Sequence, residues 1–178
     1  MAASRPVTSP VALAAVAHDL ELPVTGDIVI TGITHDSREV LPGDLYVAIP
    51  GLKNHGIEFV EQAMANGAVA VASDSKGVAI AQNHGLPTIE LSNPRKHMAL
   101  MAQRIYGFPD HELAIIGITG TNGKTTVASM VRHVLTISGN KTGMIGTLGA
   151  FAGDEFLAGL RTTPESTDLY ATLGYMVD

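Results

Sequence analysis

Residues 113–126 read Leu-Ala-Ile-Ile-Gly-Ile-Thr-Gly-Thr-Asn-Gly-Lys-Thr-Thr, an apolar run that enters a glycine-rich turn and then a helix. That order of residue types suits a polyphosphate. Gly120 and Gly123 let backbone N–H groups turn inward on phosphate oxygens, with Thr121 and Asn122 between them. Lys124 supplies a point charge for the β- and γ-phosphates. Thr125 offers a hydroxyl suited to Mg²⁺, and Thr126 continues a helix N-terminus whose partial positive charge favours anions. The chemistry expected is the binding of ATP or GTP. The spacing departs by one residue from the usual P-loop, which would need glycine where Ile118 stands; the glycines fall instead at Gly117, Gly120 and Gly123. On spacing alone, a plain glycine-rich turn that happens to carry Lys-Thr stays open.

Elements on either side must hold this loop. Leu113, Ile115, Ile116 and Ile118 are expected to form a buried parallel strand leading into it. Val127, Met130, Val131, Val134 and Leu135 recur at i, i+3, i+4, i+7 and i+8, which predicts a helix with one apolar stripe. Gly139 is placed to end that helix, and residues 141–147 read as a further short strand.

The chain upstream alternates strands and helices. Residues 27–33, 44–49, 68–72 and 87–91 read as strands. Residues 57–66 predict a helix ended by Gly67, and 76–83 a weaker one closed by Gly85. A better-marked helix follows: Asn93 caps it, Pro94 takes its first position, and Met98, Met101, Ala102 and Ile105 form its stripe. Gly107 and Pro109 stop it. This pattern predicts an α/β domain over residues 1–109 and the beginning of a second, P-loop domain over 110–178. A helix over 168–176 closes the sequence. The second domain is expected to be incomplete, because a P-loop sheet needs more strands and a second, acidic Mg²⁺ ligand.

Bulk properties narrow the class. A chain of 178 residues with 46% apolar content has ample material for a core, and its formal net charge of −6 gives no support to nucleic-acid binding. The absence of cysteine excludes disulfides and thiolate-bound metal. No apolar run approaches the roughly 18 residues that span a bilayer. Residues 11–17 (Val-Ala-Leu-Ala-Ala-Val-Ala) mimic a signal-peptidase site but are too short and weakly charged, and a helix packed on the first domain is expected there. His18, His84, His97, His111 and His133 show no paired metal-ligand spacing.

Three segments together resemble the Mur ligases: Thr34-His35-Asp36-Ser37-Arg38 running on to Leu41-Pro42-Gly43-Asp44, then Gly120-Thr121-Asn122-Gly123-Lys124-Thr125-Thr126, then Thr162-Thr163-Pro164-Glu165-Ser166. The resemblance runs from about residue 25 to the end, and the shifted glycine spacing is the form that family uses. The loop by itself indicates the wider group that includes folylpolyglutamate and cyanophycin synthetases. The Asp-Ser-Arg and Thr-Thr-Pro-Glu-Ser segments favour members that add the third amino acid of the peptidoglycan stem peptide.

The resemblance implies an N-terminal α/β domain binding the uridine diphosphate end of UDP-N-acetylmuramoyl-L-alanyl-D-glutamate, followed by the start of a central ATPase domain. His35 and Ser37 match nucleotide-contacting positions, and Leu52, Lys53, Asn54 and His55 match a loop that closes over uracil and ribose. Thr162 and Thr163 match substrate-holding residues, with Arg161 standing where many members carry Asn. Lys124 would act on the phosphates, Thr125 would ligate Mg²⁺, and the cofactors would be ATP and Mg²⁺. The reaction implied is formation of an acyl phosphate on D-glutamate and its displacement by the amine of meso-diaminopimelate or L-lysine. The resemblance further implies a cytoplasmic, monomeric ligase, and that this chain by itself is inactive. Asp36 and Arg38 are expected to form a local ion pair without chemistry. Three rival readings stay open: a ligase adding D-alanyl-D-alanine, a P-loop hydrolase or switch, and a non-catalytic UDP-binding module.

Overall fold

The computed structural model describes residues 5–18, 20–158 and 164–177. These fall into two compact units, one of residues 8–108 and one of residues 109–177 together with 5–7.

The first unit begins with β1 (Val11–Ala12) and α1 (Leu13–His18), followed by β2 (Val24–Thr25), β3 (Val29–Ile30), β4 (Gly32–Thr34) and β5 (Asp44–Ala48). A 3₁₀ turn (Gly56–Phe59) then leads into α2 (Val60–Asn66), and β6 (Ala70–Ser73), α3 (Ser75–Asn83), β7 (Thr88–Glu90) and α4 (Pro94–Ile105) complete it. The main sheet has the order β2-β7-β6-β5-β4, with β4 to β7 parallel and β2 antiparallel at one edge. Every residue of β5 and β6 is buried, as expected for parallel strands covered on both faces. Tyr46, Ala48 and Val71 share one cluster with Ile57, Val60, Ala63 and Ala81 from the 3₁₀ turn, α2 and α3. On the other face α4 packs against β4 and β5, with Met98, Met101, Ala102 and Ile105 buried.

The local signals act where they stand. Asn93 Oδ1 accepts the Lys96 N–H at 3.2 Å and Pro94 opens α4 as anticipated. The run at 11–17 buries Leu13, Val16 and Ala17 completely. The expected strand at 27–33 divides instead: Val29–Ile30 pairs with β1, while Gly32–Thr34 pairs with β5. Two short edge strands, β1 and β2, were not foreseen.

The second unit contains α5 (Pro109–Glu112), α6 (Lys124–Ile137), β8 (Gly143–Gly146), β9 (Gly149–Ala152), β10 (Glu155–Ala158) and α7 (Ser166–Val177). α6 ends in a Schellman motif: Gly139 at φ 87° donates to Thr136 O at 3.0 Å and Asn140 N to Leu135 O at 3.1 Å. Of its apolar stripe, Val127, Met130 and Val134 are exposed, while Val131 and Leu135 are half-buried. The three strands form an antiparallel meander in the order β10-β9-β8. Only β8 was foreseen; the strands are joined by two-residue turns at Thr147-Leu148 and Gly153-Asp154, of which only the Gly-led second is a sequence signal.

The buried strand expected at residues 113–118 is not formed. This segment has no regular structure, and Ile115 and Ile116 are each 59% exposed. A strand exists by pairing, and among the described residues the meander pairs only with itself.

Candidate functional site

Because β4, β5 and β7 run parallel, their carboxyl ends meet at one edge of the sheet. The segments that follow them line a cleft of about 390 Å³. Ligands of open parallel sheets sit at this edge. His35, Asp36, Ser37 and Arg38 come from the turn after β4, and Ile49, Pro50, Gly51, Asn54 and Gly56 from the segment after β5. Arg95 reaches the cleft from the first turn of α4, and Phe59 and Gln62 from the 3₁₀ turn and α2.

The turn after β4 is held rigidly. Ser37 Oγ donates to Gln62 Oε1 at 2.7 Å, and Asn66 Nδ2 donates to the Ser37 carbonyl at 2.8 Å. Both partners lie on α2, so helix packing sets the position of Ser37. Tyr46 OH donates to Gly56 O at 2.7 Å. Burial, with the Asp36 charge nearby, pushes the Tyr46 phenol up to about 12, so it stays protonated and remains a donor. Asp36 and Arg38 form the anticipated ion pair, in bidentate geometry: Nε to Oδ1 at 2.9 Å and NH2 to Oδ2 at 2.5 Å. The Arg38 guanidinium holds the Asp36 carboxyl below its ordinary value against the opposing effect of burial. A depressed folded value means a stabilising contribution present above the unfolded value and lost as pH falls through the folded one. Arg38→Ala should therefore move the Asp36 titration upward in a carboxyl ¹³C NMR experiment; an unmoved midpoint would show that the pair does not form in solution.

The loop at 120–126 leads directly into α6. Gly123 is the N-cap of α6 with φ 77° and no side-chain cap, so the first-turn N–H groups face outward. Lys124 Nζ bonds the carbonyls of Gly120 at 2.7 Å and Thr121 at 3.4 Å, folding back over its own loop. Thr125 Oγ1 lies 3.2 Å from Thr147 Oγ1. Among the described residues no three His, Cys, Asp or Glu side chains gather as a metal site.

Of the residues singled out from sequence for the first unit, His35, Ser37 and Asn54 line the cleft, whereas Leu52, Lys53 and His55 do not. Leu52 is fully exposed. His55 turns inward: Nδ1 accepts the Ile57 N–H at 3.1 Å and Nε2 lies 3.2 Å from both Asp74 carboxylate oxygens. Arg161, Thr162 and Thr163 lie outside the described residues. Tyr46, Gln62 and Arg95 were missed. No local motif marks Tyr46 or Gln62, but Arg95 directly follows a recognised Asn-Pro helix start after a parallel strand, and that is where cleft residues arise.

Two family models match the chain in sequence order: "Mur ligase family, catalytic domain" over residues 29–106 and "Mur ligase middle domain" over 118–178. A UDP-N-acetylmuramoyl-L-alanyl-D-glutamate–2,6-diaminopimelate ligase of Streptomyces coelicolor is 48% identical over 132 residues, covering 74% of this chain and 26% of that protein. The ligase of the same name from Caldanaerobacter subterraneus is 40% identical over 134 residues, covering 75% and 27%. A solved structure of a ligase with that name superposes with a TM-score of 0.71 at 26% identity, covering 95% of this chain and 34% of the other. The chain spans about a quarter of the length of the curated relatives it matches.

Proposed function

This chain belongs to the Mur ligase family, and from that premise we propose that it is part of an ATP-dependent ligase adding 2,6-diaminopimelate to UDP-N-acetylmuramoyl-L-alanyl-D-glutamate. The observation that carries the reading is the ordered pair of family matches, one on the unit with the cleft and one on the unit with the phosphate loop. The choice of diaminopimelate over L-lysine rests on the names of the relatives at 48% and 40% identity.

In this reading the first unit takes the uridine diphosphate end in its cleft. Ser37, His35 and Asn54 supply polar contacts, and Arg38 and Arg95 positive charge toward the diphosphate. The second unit takes ATP at residues 120–126, with Lys124 turning from the loop carbonyls toward the phosphates and Thr125 toward Mg²⁺. ATP supplies the leaving group that makes a carboxylate reactive toward an amine. The residues of this chain bind, orient and neutralise charge. Among the described residues no helix is long and apolar enough to cross a membrane. We place the ligase in the cytoplasm as a monomer.

The test has two arms. Calorimetry on the 178-residue chain should detect UDP binding, and the chain by itself should release no ADP when given ATP and both substrates. The full-length protein should release ADP only when both the UDP-muramoyl dipeptide and diaminopimelate are present. Nucleotide hydrolysis independent of the UDP-peptide would replace the ligase reading with that of a hydrolase.

A further inference from the structure

His55 has a position that its sequence context does not announce. Pro50 and His55 pair as an isolated antiparallel bridge, and Gly51 N donates to Asn54 O at 3.1 Å, so residues 50–55 form a closed strap on the cleft rim. Gly56 N donates to Ile49 O at 2.9 Å and closes the strap a second time. The His55 side chain, 9% exposed, points away from the cleft. Its Nδ1 accepts the Ile57 N–H, which puts the proton of the neutral ring on Nε2, facing Asp74. Glu58 Oε1 accepts the His55 backbone N–H at 3.1 Å and completes a capping box on the 3₁₀ turn. Asp74 is in turn the N-cap of α3, accepting the Gly77 N–H at 2.9 Å. The ring therefore joins the loop after β5 to the helix start after β6.

We propose that His55 is a positioning residue: in its Nε2–H tautomer it cross-links the strap at 50–55 to the N-cap of α3, and so fixes the backbone of Pro50, Gly51 and Asn54 that faces the ligand. The consequence for ligand binding rests on the reading that this cleft takes the uridine diphosphate end; the consequence for strap order does not. The cross-link supplies what the strap lacks, since its tip at Leu52 is fully exposed and has no core to pack on.

Two substitutions remove the cross-link and keep each cap. His55→Asn retains an N-cap acceptor but is too short to reach Asp74, and Asp74→Ser retains a cap on α3 but is too short to reach His55. Each should leave the melting temperature within about 4 °C of wild type, the shift expected from no more than about 1 kcal/mol. Without ligand, each should speed hydrogen exchange at the Gly51 and Gly56 amides at least tenfold. With UDP as the probe, each should raise Kd about fivefold or more, and the double variant should be no worse than the weaker single variant, because one shared link is lost. In wild type, ¹⁵N spectra should show the His55 proton on Nε2.

Unchanged Gly51 and Gly56 exchange in both folded variants would overturn the proposal, as would strictly additive losses of UDP affinity. If wild type binds no UDP, the reading of the cleft fails and the exchange rates alone decide the role of His55.

Discussion

In the full-length protein, Lys124→Ala is expected to lower ATP-dependent turnover at least about a hundredfold, the usual cost of removing one preorganised donor to developing charge. The fold should survive. Lys124 is exposed, and its hydrogen bonds run to the carbonyls of Gly120 and Thr121 within its own loop. What is lost is a compact positive charge at the N-terminus of α6, where the backbone N–H groups alone must then hold the phosphates. Arginine should not restore activity, since a planar fork does not replace a compact ammonium in a tight loop. ADP release measured with both substrates, alongside circular dichroism, checks the prediction. Turnover within about fivefold of wild type would remove Lys124 from the phosphate site, because a hundredfold loss is the least that reading requires.

A large stability effect is expected at Gly77. This residue lies in the first turn of α3, where a Cβ would stand 2.6 Å from Ser73 Cβ and closer still to its hydroxyl. Ser73 cannot easily yield: it is fully buried in β6 and its Oγ donates to Ala48 O at 2.7 Å. Two effects compete at this position. Replacing a helical glycine gains up to about 1 kcal/mol in backbone entropy. Overpacking a rigid site costs about 1–3 kcal/mol, and more when a β-branched side chain is inserted. Gly77→Val should therefore lose about 2 kcal/mol net and lower the melting temperature of the chain by roughly 4–8 °C. Adding Ser73→Gly opens the space, so the double variant should lose less than the two single losses summed. A single Gly77→Val variant as stable as wild type would show that β6 and α3 are looser than drawn.

These residues also mark what the sequence discloses. α4 and α6 were legible because their caps and stripes are local: Asn93, Pro94 and Gly139 act on neighbours a few positions away. The strand expected at 113–118 was misread because apolar content states a wish for burial, and only a partner strand makes it a strand. The cleft was half legible for a related reason. His35 and Ser37 sit in a recognisable segment, but Gln62 and Arg95 reach them through two βα connections that no short motif encodes. His55 was expected in a loop closing over the nucleotide, although the His-x-x-Glu spacing to Glu58 is that of a capping box with an unusual first member.

The partly exposed stripe of α6 has a thermodynamic consequence for any nucleotide held at its start. Helices of this length are marginal in water when little packs on their apolar face, and residues 120–126 run into the first turn of this one. If the loop and helix are ordered together only a fraction f of the time, the apparent Kd for ATP is the intrinsic value divided by f. Any surface that settles on Val127, Met130, Val134 and Ile137 raises f and tightens ATP without touching a phosphate. By linkage, bound ATP strengthens the hold of that surface by the same factor. In the proposed reading, nucleotide affinity would depend on the far side of the helix as well as on the glycines that meet the ligand.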